Sequence, residues 1–122
     1  LGERLSDVWA LELKEVMAWK KLQPTGPSPS GRHEHSAIYD PESHSMLIFG
    51  GMDGSDGHLS DVWALDLKVM AWKKLQPTGT SPSGRMEHSA IYDPESHSML
   101  IFGGMDGLGK RLSDVWALEL EV

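Results

Sequence analysis

The sequence predicts an all-β protein built from two nearly identical copies of one four-stranded unit, and three observations carry that prediction. Leu-Ser-Asp-Val-Trp-Ala-Leu begins at Leu5, Leu59 and Leu112, so the chain repeats itself at intervals of 54 and 53 residues. Short apolar or alternating runs are separated by Gly, Pro, Asp and Ser at close spacing, which is the rhythm of successive strands rather than of helices. Ser45-Met46-Leu47-Ile48-Phe49-Gly50-Gly51 returns as Ser98-Met99-Leu100-Ile101-Phe102-Gly103-Gly104. Four apolar residues running into a glycine pair describe a strand buried on both faces that stops where the backbone needs unusual freedom.

The 122 residues suit one small unit, divided as a repeat over 5–58, a second over 59–111 and a duplicated third strand over 112–122. Across 53 aligned positions only seven residues differ, and Glu15 is a one-residue insertion in the first copy. Four of the differences fall together, where Ser55-Asp56-Gly57-His58 is matched by Leu108-Gly109-Lys110-Arg111. Copies this alike imply recent amplification or design.

Within a repeat the elements follow in order. Asp7 to Leu13 reads as a strand with Trp9, Leu11 and Leu13 on one face and Val8 and Ala10 on the other, so both faces call for burial. Met17 to Leu22 is more polar, and Lys20 and Lys21 suit a water-exposed outer edge. Pro24 to Gly31 is punctuated by Pro and Gly and is expected to stay out of any ladder. His35 to Tyr39 is the next strand, Asp40-Pro41-Glu42-Ser43 the turn after it, and the strand into Gly50-Gly51 follows. A loop from Met52 to Ser60 leads into the next Asp-Val-Trp strand, so nine strands are expected along the chain.

These residues resemble the kelch family. The resemblance lies in the apolar run before Gly50-Gly51 and Gly103-Gly104, the Asp61 to Leu67 strand with its copies from Asp7 and Asp114, and Trp19 and Trp72 on the strand that follows. Arg32 and His35, with Arg85 and His88, resemble the Arg and His that many kelch repeats carry before their first strand. The resemblance implies kelch-type β-propeller blades of four antiparallel strands stacked face to face around a channel. This chain then holds two blades and one extra strand. Two blades cannot close a ring, and open blade faces rich in Trp, Leu, Ile and Phe seldom persist on monomers. The expected partner is therefore the chain itself. The expected ring is a trimer of six blades, with a tetramer of eight as the alternative; in either, the third strand of the junction blade has two candidate copies, Asp7 to Leu13 and Asp114 to Leu120.

The formal charge of −7, from 11 basic and 18 acidic residues, argues against nucleic acid and anionic membrane surfaces, which need clustered Lys and Arg. No apolar run approaches the ~18 residues of a membrane helix and no signal-peptide pattern opens the chain, so a cytoplasmic location is the default expectation. There is no Cys, which removes thiolate ligands and cysteine nucleophiles. No cofactor is expected. His33-Glu34-His35 suggests a metal pair, but its copy reads Met86-Glu87-His88, so His35 and His88 are expected to be partly buried structural residues. Asp53-Gly54-Ser55-Asp56-Gly57 lacks the alternating carboxylates of a calcium loop, and His44 and His97 are expected in solvated turns.

The candidate ligand-binding residues are Arg32, Glu34, Arg85 and Glu87. In kelch propellers the corresponding loops line one channel mouth, where repeated Arg would suit an acidic peptide. The competing reading pairs each Arg with Glu34/Glu87 or with Asp61/Asp114 to hold adjacent loops. Asp7, Asp61 and Asp114 are otherwise expected to cap their loops through backbone NH groups. Trp9, Trp63, Trp116, Trp19 and Trp72 are expected in the core. Catalysis is not expected, because near-identical repeats cannot place unique residues on particular blades.

Overall fold

The computed structural model describes residues 4–12, 17–54 and 57–120. Its strands are β1 (Val8–Glu12), β2 (Ala18–Leu22), β3 (Arg32–His33), β4 (Ser36–Asp40), β5 (Ser45–Phe49), β6 (Met52–Asp53), β7 (Val62–Asp66), β8 (Ala71–Leu75), β9 (Arg85–Met86), β10 (Ser89–Asp93), β11 (Ser98–Asp106) and β12 (Arg111–Glu119). Nine of these have five or more residues, in the expected order, and no helix occurs among the described residues. The first strand covers Val8–Glu12, and its expected end at Leu13 lies outside the described residues, as does the Glu15 insertion.

One blade is complete. Its order is β4-β5-β7-β8, antiparallel throughout. The organising strand β5 pairs Leu47 with Ile38 on one side and with Ala64 on the other, and Leu47, Ile48 and Phe49 are all buried. A second blade carries β10-β11-β12 in that order, with the short β9 also paired to β11. Its register repeats the first: Leu100 meets Ala117 as Leu47 meets Ala64. The C-terminal copy of the third strand pairs with β11 in its own chain's second blade. The N-terminal hairpin β1-β2 forms a separate two-stranded sheet.

Two apolar layers hold these sheets together, one on each side of the complete blade. Ile38, Leu47, Phe49 and Val62 pack against Met99, Ile101 and Trp116 of the following blade. Ile48, Trp63, Leu65 and Trp72 form the other layer, which Val8 of the N-terminal hairpin joins. This is the alternation read from the third strand, in which Trp and Leu face one neighbour and Val and Ala the other.

The glycine pair sits where neighbouring backbone and the next blade's His88 approach closely. Gly50 and Gly51 have φ of 72° and 93°, a region that costs residues with a Cβ. A Cβ on Gly51 would lie 2.7 Å from the His33 carbonyl oxygen, and one on Gly50 would lie 2.8 Å from His88 Cε1. The Gly51 amide donates instead to the Arg85 carbonyl, and the Leu59 amide donates back to Gly51.

Three expectations need correction. The loop from Pro24 does join a ladder: Thr25 bridges Ala71 in parallel, its amide donating to Met70 O and its carbonyl accepting from Trp72 N at 2.9 Å. Pro24 and Pro27 flank that position without occupying it, so the donor survives. Trp9 and Trp19 are not core residues. Trp19 is 67% exposed where its copy Trp72 is 8% exposed, because the hairpin carries no sheet on its outer face. His97 is no free turn residue either: its Nε2 lies 3.3 Å from Asp40 in the preceding blade.

Leu65 is fully buried between Trp63 and Trp72, whereas Leu11, at the same repeat position, is 43% exposed. Leu65→Ala is expected to lower the unfolding free energy by about 2–5 kcal/mol and Leu11→Ala by less than about 1 kcal/mol, read from urea denaturation of the two variants side by side.

Candidate functional site

A polar cluster is built where the entry to the first strand meets the entry to the third. Arg32 reaches across 29 residues to Asp61, Nη1 to Oδ1 at 2.8 Å and Nη2 to Oδ2 at 3.1 Å. Its Nη1 also donates to Gly50 O, its Nε to Ser30 O, and its Nη2 to Ser30 Oγ. A guanidinium has five N–H donors, so every one is used. Arg85 repeats the arrangement with Asp114, Gly103 O, Ser83 O and Ser83 Oγ. Both Arg side chains are buried.

The aspartate is shared with tryptophan. Trp63 Nε1 donates to Asp61 Oδ2 at 2.9 Å and Trp116 Nε1 to Asp114 Oδ2 at 2.8 Å. Trp9 makes the same bond to Asp7. Asp-x-Trp puts both side chains on one face of the strand, which lets a single carboxylate tie the Gly-Gly carbonyl, the Arg and the Trp layer together. The side chains of Asp61 and Asp114 thus bind Arg and Trp, where backbone NH capping was expected.

The two carboxylates respond alike. Burial pushes Asp61 up, but the hydrogen bonds from Arg32 and Trp63 and the Arg32 charge outweigh it and hold the group below the usual carboxylate range. In Asp114 the bond from Arg85 leads, Trp116 adds to it, and the group is held well below that range.

Glu34 and Glu87 are brought together at the surface of the same region. Both are exposed, both have positive φ, 58° and 61°, and the Glu87 amide donates to Glu34 O at 3.0 Å. The neighbouring Glu34 carboxyl, by hydrogen bond and by charge, holds Glu87 above its usual value. Of the four candidate ligand residues, two are therefore interior clamps and two form an exposed acidic pair. Sequence spacing could not show this, because Glu34 and Asp61 offered Arg32 equally plausible carboxylates.

His35 and His88 differ although the residues directly beside each, Glu and Ser, are the same. His88 is buried, with Ser36 Oγ 2.7 Å from its Nε2 and the Phe49 ring edge-on at 5.1 Å. Burial holds it below the ordinary imidazole value, against the pull of the Phe49 carbonyl. His35 is exposed, since no Phe-bearing strand stands before it. His33 Nδ1 lies 3.1 Å from Met52 O and its Nε2 3.3 Å from Glu34. Among the described residues no three His, Asp or Glu side chains converge to hold a metal ion, and no helix is long and apolar enough to cross a membrane.

Antiparallel sheets stacked face to face, one with all four blade strands and one with three, each with a Gly-Gly bend beside an Arg–Asp–Trp clamp whose Arg is buried, define a chain of β-propeller blades. The model of the KLHDC2/KLHL20/DRC7 Kelch-repeats domain matches residues 2–122, and the chain belongs to the kelch-repeat family. Host cell factor 2 of Homo sapiens is 38% identical over an alignment of 107 residues that covers 82% of this chain and 13% of that protein. Dynein regulatory complex subunit 7 of Chlamydomonas reinhardtii is 34% identical over 103 residues, 84% of this chain and 9% of that one. The chain thus spans a small part of the length of the relatives it matches. The solved structure of YjhT superposes with a TM-score of 0.68 at 21% identity, over 95% of this chain and 36% of that one, a likeness of fold.

Asp61→Ala leaves the buried Arg32 charge without its counter-ion and is expected to cost about 3–5 kcal/mol in denaturant unfolding. Arg32→Lys should recover little against Arg32→Met, because an ammonium cannot make the forked contact.

The depressed groups fix the sign of the acid response. A depressed carboxylate stabilises above its unfolded pKa of about 3.9, and that contribution fades as pH falls through the folded value. His88, also depressed, binds fewer protons folded than unfolded, so its stabilisation is full above about 6.5 and fades below. Stability is expected to fall on acidification in two stages, below about pH 6.5 and below about pH 4, with the upper stage reduced in His88→Gln. Urea midpoints measured from pH 8 to pH 3 check this.

Proposed function

We infer that the chain is a non-catalytic kelch scaffold segment whose work is to bind protein, and that the first protein it binds is a further set of propeller blades. One observation carries the reading. Phe49 is 3% exposed under the following blade, whereas Phe102, its copy, is 51% exposed. Ile91 and Val115 are likewise exposed where Ile38 and Val62 are buried. Large apolar faces of this kind mark interaction surfaces. Two blades per chain fit a ring of three copies with six blades, or of four copies with eight.

The buried Arg–Asp–Trp clusters support a structural role and not a catalytic one. Every guanidinium donor is already satisfied, so neither Arg offers a free group to a substrate or to an acidic peptide. A second reading keeps the loops as a docking site for a partner peptide. The exposed Glu34–Glu87 pair favours a basic peptide there over an acidic one. The small share of its relatives that the chain spans also suits a segment of a larger kelch protein.

Light scattering of the purified chain tests the scaffold reading. A mass near three or four times 13.5 kDa is expected, with Phe102→Glu returning the sample to monomer. A wild-type monomer at all concentrations overturns it.

A further inference from the structure

We propose that the joint between the complete blade and the blade that follows it is a pH-sensitive rocker, in which acidification loosens the end beside the Gly-Gly bend and tightens the opposite end. Its two arms are His88 and His97 of the second blade.

The inner strands place them. β10 (Ser89–Asp93) lies beside its equivalent β4 (Ser36–Asp40). His88 directly precedes β10, and His97 follows the turn at its other end. A strand of five residues at ~3.4 Å each sets these ends roughly 17 Å apart. His88 meets Ser36 and His97 meets Asp40, the first and last residues of β4. The copies of these histidines in the first blade, His35 and His44, are exposed.

The first end suits a neutral ring. The His88 imidazole lies against the Phe49 ring at 5.1 Å, its Nε2 is 2.7 Å from Ser36 Oγ, and a Cβ on Gly50 would come within 2.8 Å of its Cε1, so the fit has no slack. Its Nδ1 is buried and makes no hydrogen bond among the described residues. Burial opposes a second proton most, the Arg85 charge and His35 add to that, and the Phe49 carbonyl pulls the other way. A proton taken up here puts an unpaired cation against an apolar wall, and the blades part at this end.

The second end suits a charged ring. His97 Nε2 lies 3.3 Å from both oxygens of Asp40, and its Nδ1 is 3.7 Å from Glu42 Oε1. A neutral imidazole has one N–H to give and an imidazolium two, so protonation lets one ring serve both carboxylates. Each side is held in place beforehand. His97 has φ of 50°, its carbonyl accepts from the Leu120 amide, and its ring stands edge-on to Tyr92 at 6.0 Å. Asp40 accepts from Ser43 Oγ at 2.7 Å and from the Glu42 amide. Burial pushes Asp40 up, but the bonds from Ser43, His97 and the Glu42 amide outweigh it, so it stays an anion while the ring gains its proton. Tyr92, raised by burial and by the Asp40 and Glu42 charges, stays neutral. Among the described residues no Lys or Arg pairs with Asp40 or Glu42.

The two contacts therefore respond with opposite sign. The His88 contact is full above about pH 6.5 and fades below it, whereas the His97 contact gains as the pH falls. Glu87 immediately precedes His88, its amide donates across the joint to Glu34 O, and the Gly51 amide donates across it to Arg85 O. Loosening at His88 thus passes to the exposed Glu34–Glu87 pair, which acid spreads apart while the far end of the joint stays closed.

Two double-mutant cycles read the ends separately, from urea unfolding at about pH 8 and about pH 5.5 at one protein concentration. The coupling between His97 and Asp40, from His97→Gln, Asp40→Asn and the pair, is expected to grow roughly threefold or more as a ratio of unfolding equilibrium constants on acidification. The coupling between His88 and Ser36, from His88→Gln, Ser36→Ala and the pair, is expected to shrink over the same interval. Couplings that move in the same direction, or that do not move, overturn the rocker. Amide exchange in the unmodified chain needs no variant to fold. Corrected for the intrinsic effect of pH, protection of the Gly51 and Glu87 amides is expected to fall severalfold relative to that of Leu120, which bonds at the His97 end within the second blade; an equal change at both ends contradicts the proposal.

Discussion

A sheet that is apolar on both faces must have a neighbour on each, and most of this structure follows from that constraint. Trp63, Leu65 and Trp72 face one way and Phe49, Val62 and Leu47 the other, so a blade is stable only inside a stack. The complete blade has a sheet on either side and is buried accordingly. The hairpin and the three-stranded blade each have one neighbour, and their outer faces expose Trp19 and Phe102. Stability in such an array is a sum of repeat and nearest-neighbour terms, so the end units hold fewer of those terms than the middle one.

The Arg–Asp–Trp clamp solves a different problem. The chain must turn sharply at Gly50-Gly51 to let the next blade approach, and this leaves a carbonyl at Gly50 turned inward. Arg32 donates to that carbonyl, and Asp61 neutralises the Arg in turn. A buried cation is costly unless paired and hydrogen-bonded; here all its donors are met. The same carboxylate fixes the indole of Trp63, which links the position of the bend to the packing of the blade face. The cluster is thus consumed in holding the fold together, which leaves the outer faces and the exposed Glu34–Glu87 pair as the surfaces available for binding.

Much of the fold was legible in the residues because the repeat supplies its own comparison. The strand order, the Gly-Gly bend and the two-faced third strand follow from period-two patterning and turn chemistry, and the observed register conforms to them. What the sequence could not reveal was whatever depends on place in the stack. Trp19 and Trp72 have identical neighbours in sequence yet differ in burial, and so do His35 and His88, because burial here is decided by the adjacent sheet. The partner of Arg32 was undecided between Glu34 and Asp61 because the answer lies 29 residues away, set by which strand entry lies beside the Gly-Gly bend. Glu34 and Glu87 in left-handed backbone, and Thr25 in a bridge to Ala71, carried no sequence signal strong enough to find them.

If the two exposed faces of the chain are complementary halves of a contact already present between its repeats, they must become protected together. Hydrogen–deuterium exchange followed against protein concentration tests this most directly. Amides around Ser89 to Phe102 and around Arg32 to Ser36 are predicted to gain protection together as concentration rises, approaching the protection of Ser36 to Phe49. Exchange at those two segments that stays fast and independent of concentration would contradict it.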